Sequence, residues 1–165
     1  MDVAQGHLQM DEGAPAPAER RNTVQTNNLH RSVGADVAAP EKRRPSVLIV
    51  DGEALMRWSL GERLRAEGYD VLQAGTGGDA LDQLPQGVDL VVLDLNLPDA
   101  DGLWVLRQIK GFDPRIAVLI ISACSTCDTA VDAARLGALG VTSKPFGLDH
   151  IVAIIDHALG VPAAP

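Results

Sequence analysis

Short apolar runs, each bounded by polar residues or glycine, are the feature that most constrains how this chain can fold. The runs are Val47–Val50, Leu90–Leu95 (interrupted by Asp94), Ile116–Ile121 and, more weakly, Leu139–Val141, together with an alternating run at Tyr69–Ala74. Short unbroken runs of this kind predict strands that are buried on both faces, whereas the alternating run suits an edge strand. The sequence therefore predicts five strands.

Segments with helical spacing lie between these runs. Apolar residues recur at helical intervals through Met56, Leu60 and Leu64; Leu103, Leu106 and Ile109; and Ile151, Ile154, Ile155 and Ala158, while Asp128–Leu136 forms a weaker, more polar pattern. Buried strands that alternate with helices of about 10–14 residues predict an α/β fold. We expect a doubly wound, five-stranded parallel sheet that is covered on both faces by helices and joined by right-handed crossovers.

Residues 1–45 differ in character from the rest of the chain. They show no sustained apolar periodicity and are rich in Ala, Pro, Asn, Gln and charged residues. Such a segment cannot bury enough apolar surface to offset the entropy of ordering, so we predict a disordered N-terminal tail. The folded domain is expected to span residues 46–160, with a short tail at 161–165. Because little sequence follows the last helix, we expect output by contact and no attached output domain.

The charge is unevenly distributed between these parts. Of 22 acidic and 14 basic residues, six of each lie in residues 1–45, which leaves 16 acids and eight bases, a net charge of −8, for the remainder. A folded part this acidic repels phosphate backbones, so we expect no direct binding of nucleic acid. No apolar run approaches the roughly 18 residues that a membrane span requires, and no secretory signal is present, so we expect a cytoplasmic protein.

Reactive or polar side chains end four of the five predicted strands. Asp51 ends the first strand, Asp94 the third, Ser122 the fourth and Lys144 the fifth. The carboxyl ends of parallel strands share one edge of the sheet, and open α/β sheets place their sites outside that edge. We therefore expect the four side chains to meet there.

These residue types suit phosphoryl transfer to a carboxylate. An ionised Asp is the nucleophile, and the incoming phosphoryl group brings further negative charge to it. A hard cation such as Mg²⁺, held by neighbouring acids, neutralises that charge. A lysine adds a point charge, and a hydroxyl can bond a phosphoryl oxygen. Each of the four residues alone is common at the end of a strand and is weak evidence. The four together, in this order, are specific for phosphoryl transfer.

The segment Val47–Leu159 resembles the receiver domain of bacterial two-component response regulators. The matching stretches are Leu48-Ile49-Val50-Asp51, the run from Val91 to Gly102 around Asp94, Ile121-Ser122-Ala123, Gly137-Ala138 and Ser143-Lys144-Pro145-Phe146. Met56–Leu60 is similar to the first helix of receivers that regulate enhancer-binding activators. The resemblance implies a flavodoxin-like (βα)5 fold and a role in phosphorelay signal transduction.

The same resemblance implies roles for individual residues. Asp94 would accept phosphate from a histidine kinase or phosphotransferase. Asp51, Asp94 and the backbone carbonyl of Asn96 would hold Mg²⁺. Ser122 would be the switch hydroxyl that turns toward the phosphoryl group, and Lys144 would pair with that group. The resemblance implies a phosphoprotein that assists its own phosphotransfer and has no separate enzymatic activity.

Two positions depart from the family pattern. Receivers usually carry two adjacent acids after the first strand, and here the pair is Asp51-Gly52. Loss of a carboxylate ligand should weaken Mg²⁺ binding, although Glu53 could reach the site. The switch position three residues before Lys144 is Val141, which has no hydroxyl and cannot swing between rotamers as a tyrosine does.

Three interpretations therefore stay open. The first is a stand-alone receiver that is phosphorylated on Asp94, and the second is a pseudo-receiver, an interaction module that does not depend on phosphate. The third is an enzyme on the same fold, either a phosphatase or a thiol redox protein that uses Cys124 and Cys127. A phosphatase would need an acid where this chain has Asn96, and the Cys-x-x-Cys pair has no second pair for zinc. We favour the first interpretation over the second, and both over the third.

Overall fold

The computed structural model describes residues 43–123 and 127–161. The strands are β1 (Ser46–Val50), β2 (Asp70–Ala74), β3 (Leu90–Asp94), β4 (Ala117–Ser122) and β5 (Gly140–Ser143), and the helices are α1 (Ala54–Ala66), α2 (Gly77–Gln83), α3 (Gly102–Phe112), α4 (Cys127–Arg135) and α5 (Leu148–Leu159). All pairs of neighbouring strands are parallel, in the order β2-β1-β3-β4-β5. The predicted doubly wound α/β fold is confirmed.

The core lies in two layers, one on each face of the sheet. Successive residues of a strand point to opposite faces, so Val47 and Ile49 pack under α1 and α5, while Leu48 and Val50 pack under α2, α3 and α4. Every residue of β1 and of β3 is buried. This burial on both faces is the reason that the central strands were recognisable as unbroken apolar runs.

Two of the three helices on the second face, α2 and α4, are shorter than the expected length, whereas α3 has 11 residues. The helix α2 has only seven residues and continues into a 3-10 turn at Leu84–Gln86, and α4 has nine residues. Thr76 caps α2, because its hydroxyl accepts a hydrogen bond of 3.0 Å from the backbone N–H of Asp79. The predicted edge position of the strand Asp70–Ala74 is confirmed.

Several predictions concern residues outside the described ranges. The predicted tail falls almost wholly on residues 1–42, and the loop 124–126 and residues 162–165 also lie outside. The described chain enters the domain at Arg43, whose guanidinium bonds the carbonyl of Gly87 at 3.0 Å and the carboxylate of Asp89 at 2.6 Å. Among the described residues, no helix has the length and apolar character that crossing a membrane requires.

Candidate functional site

Four strands deliver the predicted side chains to one end of the sheet. Asp51 follows β1 directly, Asp94 ends β3, Ser122 ends β4 and Lys144 follows β5. The parallel register keeps these ends level, since Asp94 lies opposite Ile121 and Ser122 lies opposite Ser143. Asp51, Asp94 and Ser122 are all buried. The structure thus brings the four residues together at the edge where the sequence predicted them.

Lys144 is the centre of this cluster. Its ammonium Nζ lies 2.8 Å from Oδ2 of Asp51 and 2.8 Å from Oδ2 of Asp94. Two buried carboxylates therefore share one cation, and the three side chains together carry one net negative charge. A buried carboxylate without such a partner would be strongly destabilising, so this bridge supplies the counter-charge that both buried acids require.

The second oxygen of each carboxylate is held by its own loop. Oδ1 of Asp51 accepts a hydrogen bond of 2.8 Å from the backbone N–H of Glu53, and Oδ1 of Asp94 accepts one of 3.0 Å from the backbone N–H of Asn96. Both are local turns in which an aspartate bonds the backbone two residues later. The two acids are consequently fixed in matching orientations, with Oδ2 of each directed at Lys144.

The pKa of Lys144 reflects these opposing influences. Burial lowers the pKa of the ammonium group, but the hydrogen bonds and charges of Asp51 and Asp94 outweigh burial and raise the pKa above its ordinary value. Lys144 is therefore a cation throughout the neutral range. Its backbone N–H also donates a 2.8 Å bond to the carbonyl of Ser122, which ties the end of β4 to the residue after β5.

The loop between β3 and α3 is held by contacts that the sequence analysis did not foresee. The carboxylate of Asp99 accepts hydrogen bonds from the backbone N–H groups of Gly77 (2.8 Å) and Gly78 (3.0 Å) at the start of α2. These bonds lower the pKa of Asp99. At Gly102, an added Cβ would lie 2.5 Å from the Cα of Leu95, so only glycine fits. The pair Asp101-Gly102 at the start of α3 is visible in the sequence, but the steric reason for its glycine is not.

Arg57 is the second residue that the sequence analysis missed. Its Nη1 donates a 2.6 Å hydrogen bond to the backbone carbonyl of Asp51, and its guanidinium lies against Gly75. The contact connects the first turn of α1 with the loops after β1 and β2. It restrains the backbone of one of the two buried acids, and helical spacing alone gives no signal for it.

The residues at this edge fit a magnesium ion with a reduced set of protein ligands. Mg²⁺ commonly binds one or two carboxylates and keeps several waters, and Asp51, Asp94 and the carbonyl of Asn96 are oxygen donors of that kind. Residues 43–123 and 127–161 contain no group of three or more His, Cys, Asp or Glu side chains arranged for a metal. The carboxylate of Glu53 is largely exposed and lies 3.6 Å from Lys144, so its role as a ligand stays a prediction.

Gly52 has room for a side chain. A Cβ at this position would meet only Cδ of Pro98, at 3.5 Å, which is an ordinary van der Waals contact. The backbone there is not in the left-handed region that favours glycine. The fold therefore does not require glycine at position 52, and the absence of a second carboxylate there has no steric cause.

The structure describes Val141 but not the whole of the Cys-x-x-Cys pair. Val141 lies in β5, is partly buried and packs against the core under α4. Cys124 falls in the loop outside the described residues, so the interpretation of Cys124 and Cys127 as a thiol pair is not tested by the structure.

The fold and the cluster of side chains at the carboxyl end of its sheet together define a class of protein. The family described as response regulator receiver domain matches residues 47–156, and the chain belongs to that family. Family membership gives the chain its place in two-component signalling, in which receivers take phosphate from histidine kinases and generally bind Mg²⁺ in their acidic pocket.

Among curated proteins, the chain is similar to the transcriptional regulatory protein ZraR of Escherichia coli strain K12. The two are 39% identical over 114 residues, which is 68% of this chain and 26% of ZraR. The DNA-binding transcriptional regulator NtrC of the same strain is 34% identical over 118 residues, which covers 71% of this chain and 25% of NtrC. The chain thus spans about a quarter of the length of these relatives.

Solved structures of receiver domains share the fold. A response regulator receiver domain protein from Clostridium thermocellum superposes with a TM-score of 0.66 at 26% identity, covering 70% of this chain and 94% of that one. A CheY-like receiver domain protein from Methanospirillum hungatei JF-1 gives a TM-score of 0.69 at 24% identity, covering 71% and 94%. The second comparison supports the fold alone.

Proposed function

We propose that this protein is a phosphorylatable receiver in which Asp94 accepts a phosphoryl group from the phosphohistidine of a histidine kinase or phosphotransferase. The observation that carries the proposal is the bridge from Lys144 to both buried acids. It supplies the counter-charge for Asp94 at the carboxyl end of the sheet, the edge where open α/β sheets place their sites. The phosphorylated chain then acts on a downstream protein by contact, in the cytoplasm, and has no separate enzymatic activity.

The transfer conserves atoms and electrons without a further reactant. A carboxylate oxygen of Asp94 attacks phosphorus, the new O–P bond forms as the N–P bond to the donor imidazole breaks, and the imidazole leaves with the electron pair and takes a proton from solvent. When bound, Mg²⁺ neutralises the charge that gathers between the nucleophile and the phosphoryl oxygens. Asp51, Asp94 and the carbonyl of Asn96 would hold it.

The chain's own residues perform the remaining work. The ammonium of Lys144 already lies within hydrogen-bond distance of Asp94, so it can follow the phosphoryl oxygens as they arrive and stabilise their charge. The hydroxyl of Ser122, at the end of the adjacent strand, would bond a phosphoryl oxygen. Its movement would carry the signal into the loop before α4. Because Val141 stands at the position of the switch aromatic residue, rotation of a side chain in β5 carries no part of the signal in this proposal.

A phosphate-independent interaction module is the second candidate function. It is favoured by Gly52, which leaves two carboxylates where receivers usually have three. In that case the bridge of Lys144 to Asp51 and Asp94 would be the permanent state of the site, and partners would recognise the domain surface.

Substitution of the three residues separates these functions. With acetyl phosphate and Mg²⁺, we expect intact-mass spectrometry to show one phosphoryl adduct on the wild type and none on Asp94→Asn. Lys144→Met and Ser122→Ala should form the adduct more slowly, by on the order of 100-fold for Lys144→Met, which loses a charged donor. Asp70→Asn, which removes an exposed carboxylate at the start of β2 and leaves the three residues intact, is the matched control. Equal rates in all five proteins would overturn the assigned roles.

A further inference from the structure

An exposed apolar groove lies between α2 and α3, on the outer surface of the second layer. Leu81, Leu84, Gln108, Gly111 and Phe112 line this groove, which has a volume of about 460 Å³. Phe112 is 56% exposed. The chain contains only five aromatic residues, so the exposed ring of Phe112 is a large share of its aromatic surface. Exposed apolar patches of this kind mark interaction sites.

Trp104 extends the apolar surface along α3. It precedes Gln108 by one helical turn and Phe112 by two, so the three residues share one stripe of the helix. The Trp104 side chain is 46% exposed. Gly111 lies beside the stripe, and an added Cβ there would meet nothing within 4 Å. Glycine destabilises a helix relative to alanine, and packing within the described chain does not require it at this position.

Charges of opposite sign flank the groove. On the α2 side Asp79 and Asp82 are exposed, and on α3 Arg107 is exposed. None of these three residues forms an ion pair within the described part of the chain. The face therefore carries both halves of a complementary pair of charges.

Arg107 lies on the opposite side of the groove from Asp79 and Asp82, as its neighbours on α3 show. Arg107 shares a flank of α3 with Leu103 and Lys110, at helical spacing. Leu103 lines a cavity together with Thr129 of α4, and the stem of Lys110 lies against Gly137, just after α4. Arg107 consequently lies on the side of α3 away from α2, and the apolar groove separates it from the acids.

We propose that this surface, the α2–α3 face, binds a second copy of the chain. A two-fold axis that lies in the plane of the interface and runs along the groove, between α2 and α3, lays α2 of one copy over α3 of the other. The apolar stripes then cover each other, and Asp82 of each copy meets Arg107 of its partner. Because the face supplies both charges itself, it is complementary to itself, which a surface made for an unrelated partner need not be. The dimer uses no residue of the phosphorylation site.

Sedimentation velocity on the full chain tests this proposal. We expect the wild type to form dimers at tens of micromolar, in the range of a weak specific interface. Trp104→Ala and Phe112→Ala should weaken dimerisation by about tenfold or more, as substitutions of central aromatic residues do. Gly111→Gln should do the same, although it adds atoms where the monomer is open and so leaves the fold intact. Trp58→Ala is the control, since Trp58 is more exposed than Trp104 and Phe112, at 59%, and lies on α1 in the opposite layer.

Charge reversal distinguishes this dimer from any other. Asp82→Arg or Arg107→Glu alone should weaken dimerisation, and the two together should restore it to within about threefold of the wild type. A wild type that stays monomeric at about 200 µM would overturn the proposal and leave the face to a different partner. Dimers that are insensitive to the changes on α3, or that the double reversal fails to restore, would overturn it as well.

Discussion

At the scale of single residues, the site is governed by one cation shared between two buried acids. Lys144 contacts Oδ2 of Asp51 and of Asp94 at equal distances, and the other oxygen of each acid is occupied by a backbone N–H. A dication that enters must compete with this ammonium for the same oxygens. The balance between the two cations therefore depends on how much negative charge the edge carries, and Gly52 reduces that charge.

Gly52→Asp tests this dependence. We expect the variant to bind Mg²⁺ at least about tenfold more tightly and to be phosphorylated faster, because it gains a carboxylate ligand. Without metal it should be less stable than the wild type, since the new charge is repelled by Asp51 and Asp94, so its melting temperature should rise more when Mg²⁺ is added. Thermal unfolding during a Mg²⁺ titration measures both effects.

The structure also supplies the control for this experiment. Since a Cβ at Gly52 meets only Pro98, loss of stability through steric strain is not expected. Gln86→Asp adds one carboxylate to an exposed position in the 3-10 turn, beside the starts of the strands and so at the opposite edge of the sheet, and should leave the Mg²⁺-induced shift unchanged. Equal shifts in Gly52→Asp and the wild type would show that Glu53 or water already fills the role.

Removal of the shared cation should be costly for folding. Lys144→Met leaves two buried carboxylates without a counterion, and we expect the free energy of unfolding to fall by about 3–5 kcal/mol in the absence of metal. Arg115→Met removes the ion pair with Asp113, an interaction of an exposed arginine, and should cost less than about 1 kcal/mol. Urea denaturation compares the two variants. A loss of equal size in both would contradict the central place of Lys144.

At the scale of elements, the sequence predicted well the features that depend on local pattern. It predicted poorly the contacts that depend on how distant elements pack against each other. The central strands were identified because β1 and β3 are buried on both faces and leave continuous apolar runs. Strand ends then located Asp51, Asp94, Ser122 and Lys144, since the topology of a parallel sheet brings such ends together. A residue's place after a strand is a property that sequence shows directly.

The contacts that the sequence could not show join elements that are distant along the chain. The helix α2 is too short for a clear apolar stripe, and it is held by its cap at Thr76 and by Asp99, which is 22 residues away from Gly77. Arg57 is on the first turn of α1, and only the position of the loop after β1 gives its guanidinium a carbonyl to bond. No periodicity marks interactions of this kind.

Tyr69 shows how such a contact can be measured. Its hydroxyl donates a hydrogen bond to the carboxylate of Asp156 on α5, and thereby ties the start of β2 to the last helix. Burial first, and then this hydrogen bond and the nearby negative charges, raise the pKa of Tyr69. The neutral phenol is the form that the fold favours. Its contribution to stability is therefore complete below about pH 10 and is lost as the pH rises through the raised pKa.

Tyr69→Phe should change the alkaline limb of the stability profile. The variant loses about 1 kcal/mol at neutral pH, from the missing hydrogen bond, but its stability should fall less steeply above pH 10. Because Tyr69 is the single tyrosine of the chain, tyrosinate absorbance reports this one group. Ionisation of the native protein near pH 10, without any loss of structure, would contradict the account.

At the scale of the whole molecule, the first question is where the folded domain begins. Arg43 already bonds Asp89 and the carbonyl of Gly87, and β1 starts at Ser46. Limited proteolysis of the full chain should therefore trim the segment before Arg43 and leave a fragment that begins near that residue. Protection of backbone amides from hydrogen exchange within residues 1–42 would contradict the predicted disorder of that segment.

For the whole molecule, family, fold and site all point to Asp94 as the phosphate acceptor. The most direct measurement is peptide mapping of the full chain after treatment with acetyl phosphate, with Mg²⁺ or with a chelator. We expect one phosphoryl group per chain, on the peptide that contains Asp94, formed with Mg²⁺, largely absent with the chelator, and released by hydroxylamine as an acyl phosphate is. No adduct at saturating Mg²⁺, or an adduct on any other residue, would contradict the assignment of Asp94 as the phosphate acceptor.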